Sequence, residues 1–410
     1  MDLLSKAQSA MDKGLCDHCL GRLFAQLGHG LTNDERGKAL RVYYAMRESG
    51  KEPKDVPKES DECSLCGNLF EEIDDFVELI LNEIEHIEFN TFLVGSRIDP
   101  EIEEREERLW TELDITTSEP IKSEINREVG KRVDGLIKAK VDLKDPHLKA
   151  ILDTRFNSVE IELAPLFMYG RYKKLSRKIP QTKWICRKCW GTGCEHCGNT
   201  GKLYETSVEE IIGEPLKEMV FGEDYTLHGM GREDINAKML GNGRPFVMEI
   251  KNPLKRHMDL KELKRRVKKD GRVEIDSLKI TYRDKVRAIK EAEPDKTYKV
   301  KIALKKPVSR GKFKKVLQSL SGVTLRQRTP NRVSHRRSDK VRKRKISEIE
   351  LKDLDHPLYT LELKAEAGTY IKEFIHGDEG RTEPNLSEEL GVQCQVEKLN
   401  VIEVHYKDEM

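Results

Sequence analysis

The stretch GMGREDINAKMLGNGRPFVMEI (229–250) decides how this chain is read. It sets Asp234 directly after Gly231-Arg232-Glu233 and follows it with Gly241 and Gly243, spaced for a tight loop that exposes backbone, before the apolar run FVMEI. A G-x-G start also opens dinucleotide fingerprints. Here the sixth position, which those fingerprints give to glycine, is Asp234, whose charge would repel a pyrophosphate, and no Lys-Ser or Lys-Thr follows as in a phosphate loop. An aspartate among glycines is most often a turn former. A chemical role for Asp234 therefore depends on what the rest of the chain brings to it.

The bulk of the chain sets limits. At 410 residues it exceeds one small core and calls for more than one domain. Seventy-five Lys+Arg against 73 Asp+Glu leave a net charge of only +2, so a polyanion must be met by local clustering. With 36% charged residues and a mean hydropathy of -0.66, no apolar run reaches membrane-spanning length, and the start MDLLSKAQSAMDKG lacks the core of an export signal. These features exclude a membrane partner and give a cytoplasmic expectation.

Eight of the nine cysteines fall into four C-x-x-C pairs, a pattern that favours metal over disulfides in a chain without an export signal. Cys186, Cys189, Cys194 and Cys197 are compact enough for four thiolates to surround one tetrahedral ion, and the intervening Trp-Gly-Thr-Gly lets the backbone reverse. Cys16, Cys19, Cys63 and Cys66 form a second set if the polar connector KEPKDVPKESDE returns the later pair to the earlier one. Neither set has an open fourth position, so the expectation is structural zinc, one or two ions, with redox or iron–sulfur use as the alternatives. His18 reads as a solvent-facing turn residue and Cys394 as a buried apolar one.

Apolar periodicity gives an α+β fold in two parts. Leu3, Leu4, Ala7 and Met11 keep helical spacing, and Thr32-Asn33-Asp34-Glu35 has the pattern of a capping box opening a helix through Glu48. LFEEIDDFVELILNEI reads as an amphipathic helix, and TFLVGS and VEIELAPLFMYG each read as a strand. The Gly- and Cys-rich segment 181–205 reads as a knuckle in a boundary region. Beyond it, YTLHGM, FVMEIKN, KTYKVKIALKK and LYTLELKAEA read as strands of a larger mixed sheet, separated by basic helices such as LKELKRRVKKD. In KTYKVKIAL, Tyr298 shares a face with Val300 and Ile302. Lys372 falls in the first turn of a helix that starts after Gly368, where the helix dipole disfavours a cation, so it calls for a carboxylate partner.

Taken in order, G-R-E-D, then K-x-Y in a strand, then A-G-T-Y-I-K resemble the three catalytic motifs of the pseudouridine synthases. The forms GREDINAKMLGNGRPF and GTYIKEFIHGDEGRTEPNL, with GRYKKLSRKIPQ starting at Gly170 and the paired knuckles, are similar to the archaeal THUMP-containing tRNA pseudouridine synthases that modify uridines 54 and 55 of the T loop. The resemblance spans nearly the whole chain. It implies an accessory RNA-binding domain over 1–165, a zinc knuckle plus a THUMP-like segment, followed by a pseudouridine synthase catalytic domain over 166–410 with the second knuckle near 186–197. It also implies Asp234 as the essential carboxylate, Tyr298 as the residue stacking on the target base, Lys372 as the basic partner of the aspartate and Leu399 as an apolar wall. Family members often carry a second acid two residues after the aspartate, where this chain has Asn236.

The segment RQRTPNRVSHRRSDKVRKRK (326–345) is half Lys and Arg with Asp339 as its one acid. Such clustering in a balanced chain marks a phosphate-binding surface, so Arg326, Arg328, Arg332, Arg336, Arg337 and Lys345, with Arg232, are the candidate substrate-binding residues. Thr329-Pro330 and the lack of apolar period suggest an extended loop or β-ribbon. The expected partner is tRNA, with no organic cofactor, no obligatory protein partner and a monomeric enzyme. The rival reading is a non-catalytic tRNA-binding or folding module, which accounts for the charges but not for Asp234, Tyr298 and Lys372 together. A methyltransferase or sulfur-transfer enzyme would need a glycine-rich donor motif or a pyrophosphate loop, and neither is found.

Overall fold

The computed structural model describes residues 3–49, 52 and 54–407, with the side chains of Arg336 and Asp355 excepted. It divides into two compact units, Met1–Ala164 with Leu254–Arg256, and Pro165–Pro253 with His257–Met410.

The first unit runs α1 (Leu3–Asp12), α2 (Asp17–Arg22), α3 (Asn33–Glu48), α4 (Ile73–Ile84), β1 (Thr91–Arg97), α5 (Pro100–Glu112), α6 (Ile121–Leu136), β2 (Lys140–Val141), β3 (Leu148–Asp153) and β4 (Ser158–Leu163). Both bonds of the capping box at Thr32 and Glu35 form, which satisfies two backbone donors at the start of α3. The strands make a sheet in the order β2-β1-β3-β4, parallel around β1 and antiparallel at β4. Residues alternate buried and exposed along β3, so one face of the sheet seeks cover. The apolar stripe of α4 (Ile73, Phe76, Val77, Ile80 and Ile84) and that of α6 (Ile121, Ile125, Val129 and Val133) join its core.

The second unit runs β5 (Leu166–Lys174), α7 (Val208–Val220), β6 (Asp224–Gly229), β7 (Ala237–Lys251), α8 (Leu260–Asp270), β8 (Val273–Thr281), α9 (Arg283–Glu291), β9 (Lys296–Leu304), α10 (Arg310–Leu320), β10 (Thr324–Arg328), β11 (Val341–Asp355), β12 (Leu358–Ala365), α11 (Ile371–His376), β13 (Thr382–Glu383), α12 (Leu386–Leu390) and β14 (Cys394–Val404). Ten strands form one mixed sheet in the order β13-β10-β11-β12-β9-β14-β7-β5-β8, with β6 paired to β7. The β14–β7 pair is parallel and the other pairs are antiparallel. At the centre, Val401 faces Tyr298, and Leu399 faces Val300 on one side and Ala237 on the other. Three adjacent strands thus bring Tyr298, Leu399 and the residues just after Asp234 together.

Three expectations need correction. VEIELAPLFMYG is not one strand: it breaks at Ala164-Pro165 into β4 and β5, which belong to different sheets, and proline cannot donate the ladder bond there. The segment 181–205 lies inside the second unit, because the chain before it (β5) and after it (β7) pairs within one sheet. Gly241 and Gly243 do not shape the loop around Asp234. They lie within β7, where its pairing passes from β14 to β5 across a bulge, and a Cβ on Gly241 would fall 1.6 Å from the carbonyl oxygen of Ile402.

Candidate active site

Asp234 opens into a cavity of about 320 Å³ lined by residues from seven separated segments of the chain. Asp234, Tyr298, Lys372 and Leu399 all line it, as do Arg232, Arg332 and Arg337. Lys372 Nζ lies 2.9 Å from Asp234 Oδ2 and donates to Asn236 Oδ1 at 2.9 Å. On the other oxygen, Arg332 Nη1 donates to Asp234 Oδ1 at 2.9 Å, while its Nε donates to the buried Glu373 Oε1 at 2.6 Å. Burial alone would raise the Asp234 pKa, but the Arg332 and Lys372 cations overcome it and hold the carboxyl below its ordinary value of 3.8. The site therefore presents an ionised carboxylate at neutral pH.

The Asp234 loop is held from below by buried charge. Lys174, fully buried, donates to the carbonyl oxygens of Ile179 (3.1 Å), Asp234 (3.1 Å) and Ile235 (2.9 Å), using all three of its protons. Arg244 Nη1 donates to Met230 O at 2.6 Å and Nε to Glu233 Oε2 at 2.9 Å, and Tyr172 and Gln181 complete the network around Glu233 and Gly231 O. Arg177 donates to the carbonyls of Asn236 and Leu399. Tyr172, Lys174, Arg177 and Gln181 all come from GRYKKLSRKIPQ, a stretch whose resemblance gave none of them a role. No alternation marks Lys174, because β5 is buried on both faces with only Lys173 partly exposed, and Arg177 and Gln181 lie beyond the strand.

Tyr298 is 8% exposed on β9, and burial, opposed by Arg244, pushes its phenol up to about 12, so it stays protonated. Its neighbour Lys296 also lines the cavity, and burial together with Arg244 brings its ammonium down to about 8. Trp184, not singled out in the sequence, stands at the wall with its ring 5.2 Å from the Arg232 guanidinium.

The basic segment divides in its roles. β10 and β11 pair as an antiparallel ribbon, and the chain between them includes a 3₁₀ turn, Asn331–Arg336, which turns Arg332 inward. Arg337 donates to Tyr370 Oη at 3.2 Å. Arg326 and Lys345 are exposed on the ribbon outside the cavity lining, and Arg328 forks onto Asp339 at 2.5 and 2.8 Å. The Arg336 side chain lies outside what the structure describes.

Each cysteine quartet converges. Sulfur separations of 3.8 Å (Cys16–Cys66), 4.0 Å (Cys186–Cys194), 3.8 Å (Cys189–Cys197) and 3.7 Å (Cys194–Cys197) fit thiolates held about 2.3 Å from a tetrahedral ion, which stand about 3.8 Å apart. Backbone N–H groups of Gly193, Cys194 and Gly201 point at sulfurs of the second quartet, as ionised thiolates require. His18 is not a solvent-facing turn residue. It lies in α2, stacked on Phe70 and 2.8 Å from Glu124. Cys394 is buried in the core of the second unit.

With this geometry in place, comparison with known proteins is decisive. Residues 167–405 match the family model described as Pus10, C-terminal, and residues 76–153 match Pus10 THUMP domain, archaeal. The chain belongs to the Pus10 family. Among its relatives, proteins named tRNA pseudouridine synthase Pus10 from Methanopyrus kandleri and Halorubrum lacusprofundi are 40% and 41% identical, over 95% of both chains in the first case and 100% of this chain and 98% of the other in the second. A solved Cbf5-Nop10-Gar1 complex holds a chain 18% identical, with a TM-score of 0.33 over 58% of this chain and 50% of that one, too slight a likeness to argue from. Family membership leaves the individual residues to be argued from their chemistry. Sequence reasoning reached Asp234, Tyr298, Lys372 and Leu399 through motifs; it missed Lys174, Glu233, Arg244, Glu373 and Lys296, whose meaning depends on burial.

Proposed function

We propose that this chain isomerises uridines 54 and 55 in the T loop of tRNA to pseudouridine, with Asp234 as the essential carboxylate. The observation that carries this reading is an ionised Asp234 held between Lys372 and Arg332 in a walled cavity. The reaction breaks an N-glycosidic bond, turns the uracil over and rejoins it through carbon, so it needs an anionic nucleophile or base and a space that retains the free ring. Asp234 supplies the anion. Tyr298 offers a flat wall for the base, worth about 1 to 3 kcal/mol of stacking, and its protonated hydroxyl is available to assist proton transfer at C5. Leu399, 8% exposed, is the apolar wall. No atom is gained or lost and no electron changes hands overall, so the isomerisation calls for no organic cofactor.

The target uridines are stacked inside a folded loop, so catalysis requires the base to leave the stack. Arg232, Arg337 and the exposed cations of the ribbon, Arg326 and Lys345, are suited to hold the phosphates around it, with Arg336 a further candidate from the sequence alone. The first unit serves as an accessory RNA-binding domain that sets which uridine arrives. Zinc held by Cys16, Cys19, Cys63 and Cys66, and by Cys186, Cys189, Cys194 and Cys197, supplies structural closure of both loops. The enzyme works in the cytoplasm as a monomer on one tRNA.

The test is pseudouridine mapping on an unmodified tRNA transcript with wild type and Asp234→Asn. Wild type should convert the T-loop uridines, and the variant should bind the transcript without converting it. Tight binding by a wild type that leaves every uridine unchanged would favour the non-catalytic tRNA-binding module.

A further inference from the structure

The second cysteine knuckle carries a tryptophan that the fold does not use. Trp190 is 82% exposed, the highest value among the large hydrophobic side chains described in the second unit, although a buried indole would stabilise the fold by about 2 kcal/mol or more. Its position is fixed. Trp190 N donates to Cys186 O at 2.9 Å and Thr192 N to Cys189 O at 3.0 Å, so the indole stands on a short turn tied to two of the four cysteines. Ile185 and Leu203, 52% and 39% exposed, stand on the paired arms at its root, where Leu203 N donates to Trp184 O. Arg187 and Lys188 are exposed beside it.

We propose that this face of the knuckle is a second RNA contact, with Trp190 as the platform for one unpaired base of the tRNA and Arg187 and Lys188 on the flanking phosphates. The proposal rests on the reading of the chain as a tRNA-modifying enzyme. An exposed aromatic ring beside cations is an arrangement that takes a splayed nucleotide, because the ring meets the base and the cations meet the backbone. A rigid turn adds that the platform loses little freedom on binding. The arm that carries Trp190 begins six residues earlier at Trp184, which lines the cavity beside Arg232, so the Trp190 backbone lies within about 20 Å of Trp184, a span of a few nucleotides.

The experiment measures affinity for an unmodified tRNA transcript, metal content and pseudouridine formation in wild type, Trp190→Ala and Trp190→Phe. We expect Trp190→Ala to weaken binding about 5- to 100-fold with its metal content unchanged, and Trp190→Phe to stay within about 3-fold of wild type. Unchanged affinity in Trp190→Ala, or a loss of affinity that accompanies loss of metal, overturns the proposal while leaving the enzymatic reading intact. A wild type that neither binds nor converts the transcript overturns both.

Discussion

Arg332 joins two carboxylates that are far apart in the chain: its Nη1 donates to Asp234 Oδ1 at 2.9 Å and its Nε to Glu373 Oε1 at 2.6 Å. The Glu373 side chain is 1% exposed, so Arg332 is its neutralising partner as well as a lid on the ionised aspartate. Removing the guanidinium leaves a buried carboxylate exposed to no compensating charge. We expect Arg332→Ala to destabilise the second unit by about 2 to 4 kcal/mol, less than for a wholly buried pair because Arg332 itself is partly exposed. Adding Glu373→Gln should recover most of that loss without restoring activity. Thermal melts of the single and double variants decide it; identical melting temperatures for wild type and Arg332→Ala would rule the pairing out as a source of stability.

Lys372 meets Asp234 and Asn236 together, so the lysine orients the carboxylate as well as charging its surroundings. Lys372→Met should lower kcat by about 100-fold or more with a smaller effect on tRNA affinity, because the lost contact is to the reacting group. Asn236→Asp should retain activity because the lysine can serve two carboxylates. Single-turnover rates at saturating tRNA separate the effects, and a Lys372→Met enzyme with wild-type single-turnover rate would exclude the role.

How much of this was legible in the sequence follows from what each signal depends on. The capping box at Thr32 and Glu35, the alternation of KTYKVKIAL and the cysteine spacing are local, and the structure carries all three. The dipole argument at Lys372 required a carboxylate without naming it, because strand order had to be known before β7 and α11 could be brought to one cavity. Burial was the illegible quantity. Nothing in the sequence gave Lys174, Glu233 or Arg244 a place until the sheet encloses them, and Gly241 read as part of a loop until β14 passes beside it.

The pH profile should carry two alkaline limbs and no acid limb from Asp234. The Asp234 pKa is depressed below 3.8, so its ion pairs are present above that value and are lost only as pH falls through the lower folded value, outside the working range. Lys174 and Lys296 are each lowered to about 8, by burial first. Both are charged at pH 7 and lose that charge as pH rises through about 8. In stability terms the sign is the reverse of a helpful pair: burial of each cation costs most below pH 8 and is relieved above it. Lys296 faces the cavity, so its loss should raise KM, whereas Lys174 holds the Asp234 loop, so its loss should lower kcat. Lys296→Met should remove the rise in KM between pH 7 and 9 and keep the fall in kcat. Tyr298, pushed up to about 12, cannot supply a limb at pH 8. A Lys296→Met enzyme whose KM still climbs through pH 8 would count against this assignment.

The two cysteine quartets should part under chelation because their surroundings differ. In the first, Cys19, Cys63 and Cys66 are buried in the core of the first unit and Cys16 packs half-buried against it, whereas in the second only Cys186 is buried. Access for a chelator follows exposure, and the energy at stake follows how much core hangs on the metal. Elemental analysis should find two zinc ions per chain, one released quickly by a strong chelator and the other only as the protein unfolds. Release of the first should weaken tRNA binding by disordering the Trp184 arm and the Trp190 turn, with little change in melting temperature. Cys63→Ser should lower the melting temperature of the first unit sharply and leave the pocket around Asp234 intact. Two ions released at one rate, or a Cys63→Ser protein that melts like wild type, would show that the first quartet does not hold its unit together.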